Sequence, residues 1–400
     1  MEKIAQMDID IDLFMRMLSI DSTSSKERGF ADFLEKEFGS GKCTVSRFEV
    51  GDGTVNLLLS WGHPGIVFCS HLDTVPPYIP PVIMAGDDAA SEVSGETGSI
   101  SCRTDGQTAD TVMLHGLDVK GPAVDDLARK LVIKGRGSCD AKGQIFSMYC
   151  ACRELEKRGY DGFGLLLLSG EETGSYGAKS FRDAHPGGDY VIVGEPTDGK
   201  MVSASKGTKS FGITISGKSF HSGYPQYGES AVEKFVDFMN RLRATEFPED
   251  PLLGKTTWNV GKLSSDNPQN ILSPSLSFRL YFRTTFVSDE AVCRTLDSWK
   301  ADDVLIESFG GDTPMHYLIL EGFETTTVSF GSDAPQLSNF RHRILCGPGS
   351  ILVAHTQDEF IRVSDIREAA ANYVRIFETL RGKECPHKDS LSTEIKKGKI

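Results

Sequence analysis

Glu171 and Glu172 stand side by side in "SGEETG", immediately after the apolar run "GLLLL". Four other segments place an imidazole or a carboxylate at or just beyond an apolar run: His71 and Asp73 in "SHLDTVPP", Asp140 in "GRGSCDAKG", Glu195 in "VGEPTD", and His355 in "GPGSILVAHTQDE". Each fragment alone is ordinary. A single histidine at a strand end is usually a hydrogen-bonded structural residue, a buried aspartate a cap, and paired glutamates a solvated surface. Five such fragments in one chain, most of them beside Gly or Pro, have a different meaning. Two imidazoles and several carboxylates suit a borderline cation such as zinc, with cobalt or manganese as substitutes.

These side chains need elements that bring distant segments together. "VNLLLSW", "GIVFCSHLD", "GLLLLSGEE" and "DYVIVGEP" are short continuous apolar runs, as expected of strands buried on both faces of a mostly parallel sheet. "AKGQIFSMYCACRELEKRG" between two of them has helical spacing, as do "DIDLFMRMLSI" and "ERGFADFLEKEF" near the start. The first domain is therefore expected to be α/β, and in an open α/β sheet ligands gather where the strands end.

After Lys206 the pattern changes. The alternating "TKSFGITISGKSF", the amphipathic "ESAVEKFVDFMNRLRA", the runs "TTWNVGKL" and "ILSPSLSFRLYFRTT", the helical "SDEAVCRTLDSWKA" and "DVLIESFG" read in order as β-α-β-β-α-β. That order is the split ferredoxin-like unit. The expected organisation is a catalytic domain of residues 1–207 and 312–385, interrupted by a small α+β domain at 208–311 and followed by a polar tail at 386–400. Residues 84–130, rich in Gly, Ser, Thr and Asp, read as an insertion.

The composition excludes several partners. A chain of 400 residues exceeds what one core usually organises, so two domains are expected. A formal charge of -13 and a pI near 5.2 argue against nucleic acid and anionic membranes, and no apolar run approaches the ~20 residues of a bilayer span. Nine cysteines without a CxxC pair, in a chain with no apolar leader, point to reduced thiols and a cytoplasmic location.

Taken together, "HLDTVPP", "GRGSCDAKG", "GEETGSYGA", "GEPT" and "GPGS...AHTQDE", in this order, resemble the co-catalytic zinc family. That family holds acetylornithine deacetylase, succinyl-diaminopimelate desuccinylase, aminoacylase, glutamate carboxypeptidase and related di- and tripeptidases. The resemblance spans roughly residues 10–380 and implies a zinc-binding α/β domain carrying an inserted ferredoxin-like dimerisation or lid domain.

Carried over position by position, the resemblance implies two zinc ions per subunit. His71, Asp140 and Glu195 would hold one, and Asp140, Glu172 and His355 the other, with Asp140 as the bridge. It also implies a cis peptide between Asp140 and Ala141. Asp73 is similar to the carboxylate that fixes the tautomer of the ligand imidazole. Glu171 takes the place of the general base, passing a proton from the attacking water to the leaving amine. His221, in "KSFHSGYPQYGESA", resembles a histidine that reaches across a homodimer to the partner's oxyanion. Asn270 and Arg283 resemble a pair that binds the substrate carboxylate, with Lys206, Lys209, Ser332 and Gly349 as further lining residues.

The implied activity is deacylation of an N-acyl amino acid, closest to acetylornithine deacetylase, with a di- or tripeptidase or a desuccinylase as the alternative. A non-catalytic metal-binding dimer is the remoter reading. So is a cysteine hydrolase using Cys139 or Cys102, for which no oriented Cys-His motif exists.

Overall fold

Apolar runs long enough for only six to eight residues form the centre of the molecule. The computed structural model describes residues 9–39, 41–51, 53–85 and 131–383. Strands β2 (Thr54–Trp61), β3 (Ile66–His71) and β6 (Phe163–Leu168) are almost wholly buried, as continuous Val, Ile, Leu and Phe content requires. With β1 (Thr44–Gly51), β7 (Gly188–Val193) and β15 (Phe340–Leu345) they form a six-stranded sheet in the order β1-β2-β6-β3-β7-β15. The β6-β3, β3-β7 and β7-β15 pairings are parallel, whereas β1 and β2 join antiparallel at one edge. The antiparallel β1 has no continuous apolar run, and the sequence patterning did not single it out.

Helix α3 (Lys142–Lys157) packs on β3 and β6 and against α7 (Val363–Lys383). It buries Ile145, Phe146, Met148, Ala151, Cys152 and Leu155, a face wide enough to be covered from two sides. Helix α1 (Ile11–Leu18) starts where Asp10 accepts the N–H of Leu13 and buries Leu13, Phe14, Met17 and Leu18, with Phe14 stacked 4.9 Å from Phe146. Helix α2 (Arg28–Phe38) adds Phe30, Leu34 and Phe38 to the same core.

A short sheet joins β16 (Phe360–Arg362), β5 (Leu131–Lys134) and β4 (Val82–Ala85), all antiparallel. The start of the expected insertion is corrected by this pairing. Met84 and Ala85 belong to β4, opposite Val132 and Leu131, so the two ends of that stretch are hydrogen-bonded to each other. Residues 86–130, and the tail at 386–400, lie outside the described residues.

Two compact units emerge: residues 1–201, 318–324 and 332–400 make the first, residues 202–317 and 325–331 the second. The second unit contains β9 (Gly207–Ser216), α5 (Ala231–Ala244), β10 (Thr257–Ser264), β11 (Ser275–Thr284), α6 (Asp289–Asp297) and β12 (Val304–Ser308). They form an antiparallel sheet in the order β10-β11-β9-β12, the ferredoxin-like arrangement. Strand β11 alternates burial along its length, so Leu276, Phe278, Leu280 and Phe282 meet Phe238, Met239 and Leu242 of α5 and Val292 and Leu296 of α6.

The second unit extends beyond residues 208–311. Strands β13 (Met315–His316) and β14 (Thr325–Val328) flank β8 (Met201–Ser205) in a three-stranded sheet, which draws residues after 312 away from the first unit. Short polar strands such as "TTTV" carry too little pattern to announce their partner. Among the described residues no helix is long and apolar enough to cross a membrane.

Candidate metal centre

In-register parallel pairing sets the carboxyl ends of the central strands side by side: His71 lies opposite Leu168, and Cys69 opposite Val193. The chain therefore delivers His71 from the end of β3, Glu171 and Glu172 from just beyond β6, and Glu195 from just beyond β7. Gly170, at φ +69°, starts the β6 turn where any side chain would collide with the Tyr176 ring. Asp140 arrives on the turn before α3, and the Asp140–Ala141 peptide is cis. His355 arrives from the long connection between β15 and β16, in the left-handed region at φ +65°.

The Asp140 carboxylate faces two imidazoles. Its Oδ1 is 2.9 Å from Nε2 of His71 and its Oδ2 is 3.3 Å from Nε2 of His355, which also lies 2.9 Å from Oε1 of Glu172. Ligand atoms of His71, Asp140 and Glu195 lie within 4.8 Å of one another, as do those of Asp140, Glu172 and His355, and those of His71, Glu171 and Glu172. His71, Asp140 and Glu195 are buried, Glu171 and Glu172 partly exposed, and His355 is 48% exposed, so the cluster opens on the His355 side.

Electrostatics reflect this crowding. Burial alone would raise the Asp140 carboxyl, but hydrogen bonds with His355 and His71 outweigh it and hold the group below the usual carboxylate range. Burial opposes the charged form of His71, yet hydrogen bonding to the side chains of Asp140 and then Asp73 leaves its pKa well raised. Hydrogen bonds to Asp140 and then Glu172 push His355 up to about 10. Desolvation drives Glu171 and Glu195 well above the ordinary carboxylate value.

The donor set fits a cation. A buried oxygen of Glu195, Oε1, has no hydrogen-bond partner among the described residues. The Nδ1–H of His71 donates to the main-chain oxygen of Asp73 at 2.9 Å, which leaves Nε2 as the nitrogen turned toward Asp140. That contact adds a main-chain partner to the side-chain role expected of Asp73. Its carboxylate is farther from Nδ1, at 3.5 Å, and is engaged elsewhere: Oδ1 accepts the N–H of Glu171 at 3.0 Å, and Oδ2 that of Glu172 at 3.2 Å.

His221, Asn270 and Arg283 all lie in the second unit. His221 is exposed, and its Nδ1 accepts the N–H of Gly223 at 3.1 Å, so the neutral ring carries its proton on Nε2. The main-chain oxygen of Asn270 accepts from Ser222, and the Arg283 guanidinium lies 4.9 Å from the Tyr281 ring centre. Lys209 is paired with Asp289 at 2.8 Å, and Lys206 donates to the main-chain oxygen of Lys255. Ser332 accepts from Ala334, and Gly349, at φ +74°, packs on Cys139. Burial pushes the Cys139 thiol well above its ordinary pKa, so it supplies no thiolate; Cys102 lies outside the described residues.

Two positioning residues escaped the sequence reading. Glu359, fully buried, accepts the N–H groups of Cys139 (3.1 Å) and Asp140 (3.0 Å) on Oε1 and pairs through Oε2 with buried Arg136. Gln144 donates from Nε2 to the main-chain oxygens of Cys139 and Pro348, tying the Asp140 turn to the "GPGS" turn. Arg136 and Glu359 sit inside two of the quoted fragments, but only their pairing across the fold gives them a purpose.

A sheet whose carboxyl edge gathers imidazoles and carboxylates around a shared aspartate is the arrangement of a metallohydrolase. Residues 110–379 match the model of Peptidase family M20/M25/M40, and the chain belongs to that metallopeptidase family. It is 30% identical over 390 residues to a probable carboxypeptidase of Aspergillus clavatus, covering 90% of this chain and 86% of that one. Its fold is similar to a tripeptidase from Staphylococcus aureus (TM-score 0.69, 18% identity, 92% and 96% of the two chains). A metallo-carboxypeptidase of the same family from Sulfolobus solfataricus is similar at a TM-score of 0.62 and 13% identity, over 93% and 99% of the two chains.

Proposed function

We propose that this protein is a dinuclear zinc hydrolase that cleaves a linear amide next to a free carboxylate, in a short peptide or an N-acyl amino acid. The observation that carries this reading is the Asp140 carboxylate, with one oxygen toward His71 and the other toward His355. His71, Asp140 and Glu195 would hold one ion, and Asp140, Glu172 and His355 the other. When bound, such a pair lowers the pKa of water and polarises a carbonyl.

The rest falls to the chain's own side chains. Glu171 takes a proton from the attacking water and gives it to the amine nitrogen as the C–N bond breaks, leaving a carboxylic acid and an amine. His221 is suited to donate from Nε2 to the oxyanion, because Gly223 occupies its Nδ1. Arg283, with Asn270, would bind the substrate carboxylate through paired hydrogen bonds. His221 would act in a homodimer, a reading supported by apolar residues exposed on the second unit, among them Tyr224, Tyr227, Val236 and Leu263.

The carboxypeptidase name of the Aspergillus clavatus relative favours short peptides with a free C-terminus. The "GPGS", "AHTQDEF" and "KGRGSCDAKGQ" segments favour deacylation of the acetylornithine type as the second reading. The test is hydrolysis by purified protein supplied with zinc or cobalt, comparing peptides with free and amidated C-termini, N-acetylornithine and N-succinyl-diaminopimelate. We expect cleavage of carboxylate-bearing amides only, abolished by EDTA and restored by zinc. Undiminished turnover in EDTA, or equal turnover of the amidated peptides, overturns the reading.

A further inference from the structure

The geometry points to Asp73 as the residue that positions Glu171, through the main chain of the Glu171–Glu172 turn, in addition to its contact with the His71 imidazole. Three observations converge. The His71 Nδ1–H is taken by the Asp73 main-chain oxygen at 2.9 Å, a contact that any residue at position 73 would retain, while the carboxylate stands off at 3.5 Å. The two carboxylate oxygens accept the consecutive N–H groups of Glu171 and Glu172, at 3.0 and 3.2 Å. Asp73 is fully buried, and Ser24 donates to its Oδ2 at 2.9 Å, which holds the carboxylate against rotation.

Ser24 is itself fixed. Its N–H donates to the main-chain oxygen of Thr74, and the Thr74 N–H donates to that of Ser22, so the "DSTSS" segment lies along the strand-end that carries Asp73. The chain of contact runs from Ser24 through Asp73 to the amides of the two glutamates. A turn held by two charge-assisted hydrogen bonds can present adjacent side chains in different directions without drift. The same device recurs where Glu359 gathers the N–H groups of Cys139 and Asp140. Asp73 is therefore a positioning residue for the proton acceptor, and Ser24 its support. This inference rests on the role proposed for Glu171.

Hydrogen exchange and a double-mutant cycle test it together. In Asp73→Asn, whose amide turns a donor toward one of the two N–H groups, we expect the amides of Glu171 and Glu172 to exchange at least ~10-fold faster while peptides of β3 are unchanged. With zinc saturating, kcat should fall about 100-fold and KM change by less than about threefold. Added to Glu171→Gln, Asp73→Asn should cost less than about a further threefold, because it acts through a group already removed. Ser24→Ala, which leaves Asp73 in place, should show the same pattern at about three- to tenfold in kcat. Unchanged exchange at both amides, or an Asp73→Asn penalty that multiplies in full on Glu171→Gln, overturns the assignment. If the wild-type protein hydrolyses no amide at all, the proposed function fails, and the exchange measurement still decides whether Asp73 holds the turn.

Discussion

Arg136 and Glu359 form an ion pair closed to solvent directly beneath the turn that carries Asp140. Neither charge has another route to water, so the pair stands or falls as a unit. Removing one partner leaves the other buried and unpaired, which typically destabilises by ~3–5 kcal/mol. Arg136→Met should lose about that much in urea unfolding followed by circular dichroism, whereas an exposed pair such as Arg294–Glu290 should lose less than ~1 kcal/mol. Equal losses at the two positions would show that the buried pair has no special role.

Stripping the cation should lower stability, because several carboxylates then face one another across the cluster. A ligand bound only by the folded state adds ~2.7 kcal/mol at a hundredfold excess over its Kd. Thermal unfolding in EDTA should therefore begin well below unfolding in zinc, and coincident curves would contradict a bound metal.

Hydrogen bonds to Asp140 and then Glu172 raise His355 from 6.5 to about 10. A raised folded value contributes stability that is complete below about pH 6.5 and is lost as pH climbs through about 10. Zinc must displace that proton, so its affinity should rise with pH over the same window and binding should release protons. Calorimetry in two buffers of different ionisation enthalpy measures the release; identical heats would refute it.

His185 supplies a pH effect remote from the cluster. Burial lowers its pKa below 6.5, its ring stacks 4.6 Å from Phe181, and its Nδ1 accepts the N–H of Gly187, an acceptor that only an unprotonated nitrogen provides. The unfolded chain thus binds the proton more readily. Its contribution is present above about pH 6.5 and lost as pH falls toward the lower folded value. The slope of unfolding free energy just below about pH 6.5 should flatten in His185→Phe. An unaltered slope would assign the dependence to other groups.

Complementation tests the homodimer. A Glu171→Ala subunit and a His221→Ala subunit are each inactive under the proposed mechanism, but a mixed dimer should recover about one working site. Mixtures that stay as inactive as the separate variants would place both residues in the same subunit's site, or remove His221 from the reaction.

The parts of this molecule legible in sequence are those where pattern and chemistry are both local. Buried strands β2, β3, β6 and β7 announce themselves as apolar runs, and the polar residues that end three of them meet, with Asp140 and His355, in one cluster. The β-α-β-β-α-β order was equally visible, because alternation in β11 and helical spacing in α5 are strong signals. Tertiary pairing decides the rest. The strand Thr325–Val328 takes its place from β8, Arg136 its purpose from Glu359, and the Asp73 carboxylate its partners from the β6 turn. None of these leaves a mark within its own stretch of sequence.

The cluster draws on chain from His71 to His355, with all of the second unit's sequence falling between Glu195 and His355. Small zinc modules, whose ligands sit a few residues apart, can use the ion as a nucleus around which the polypeptide organises. Here the two imidazoles, His71 and His355, are far apart in sequence, so both can grip one site only in a chain whose central strands are already paired. Under the proposed function the metal is the last part to be added, and protein prepared without zinc should fold and then gain activity when zinc is supplied.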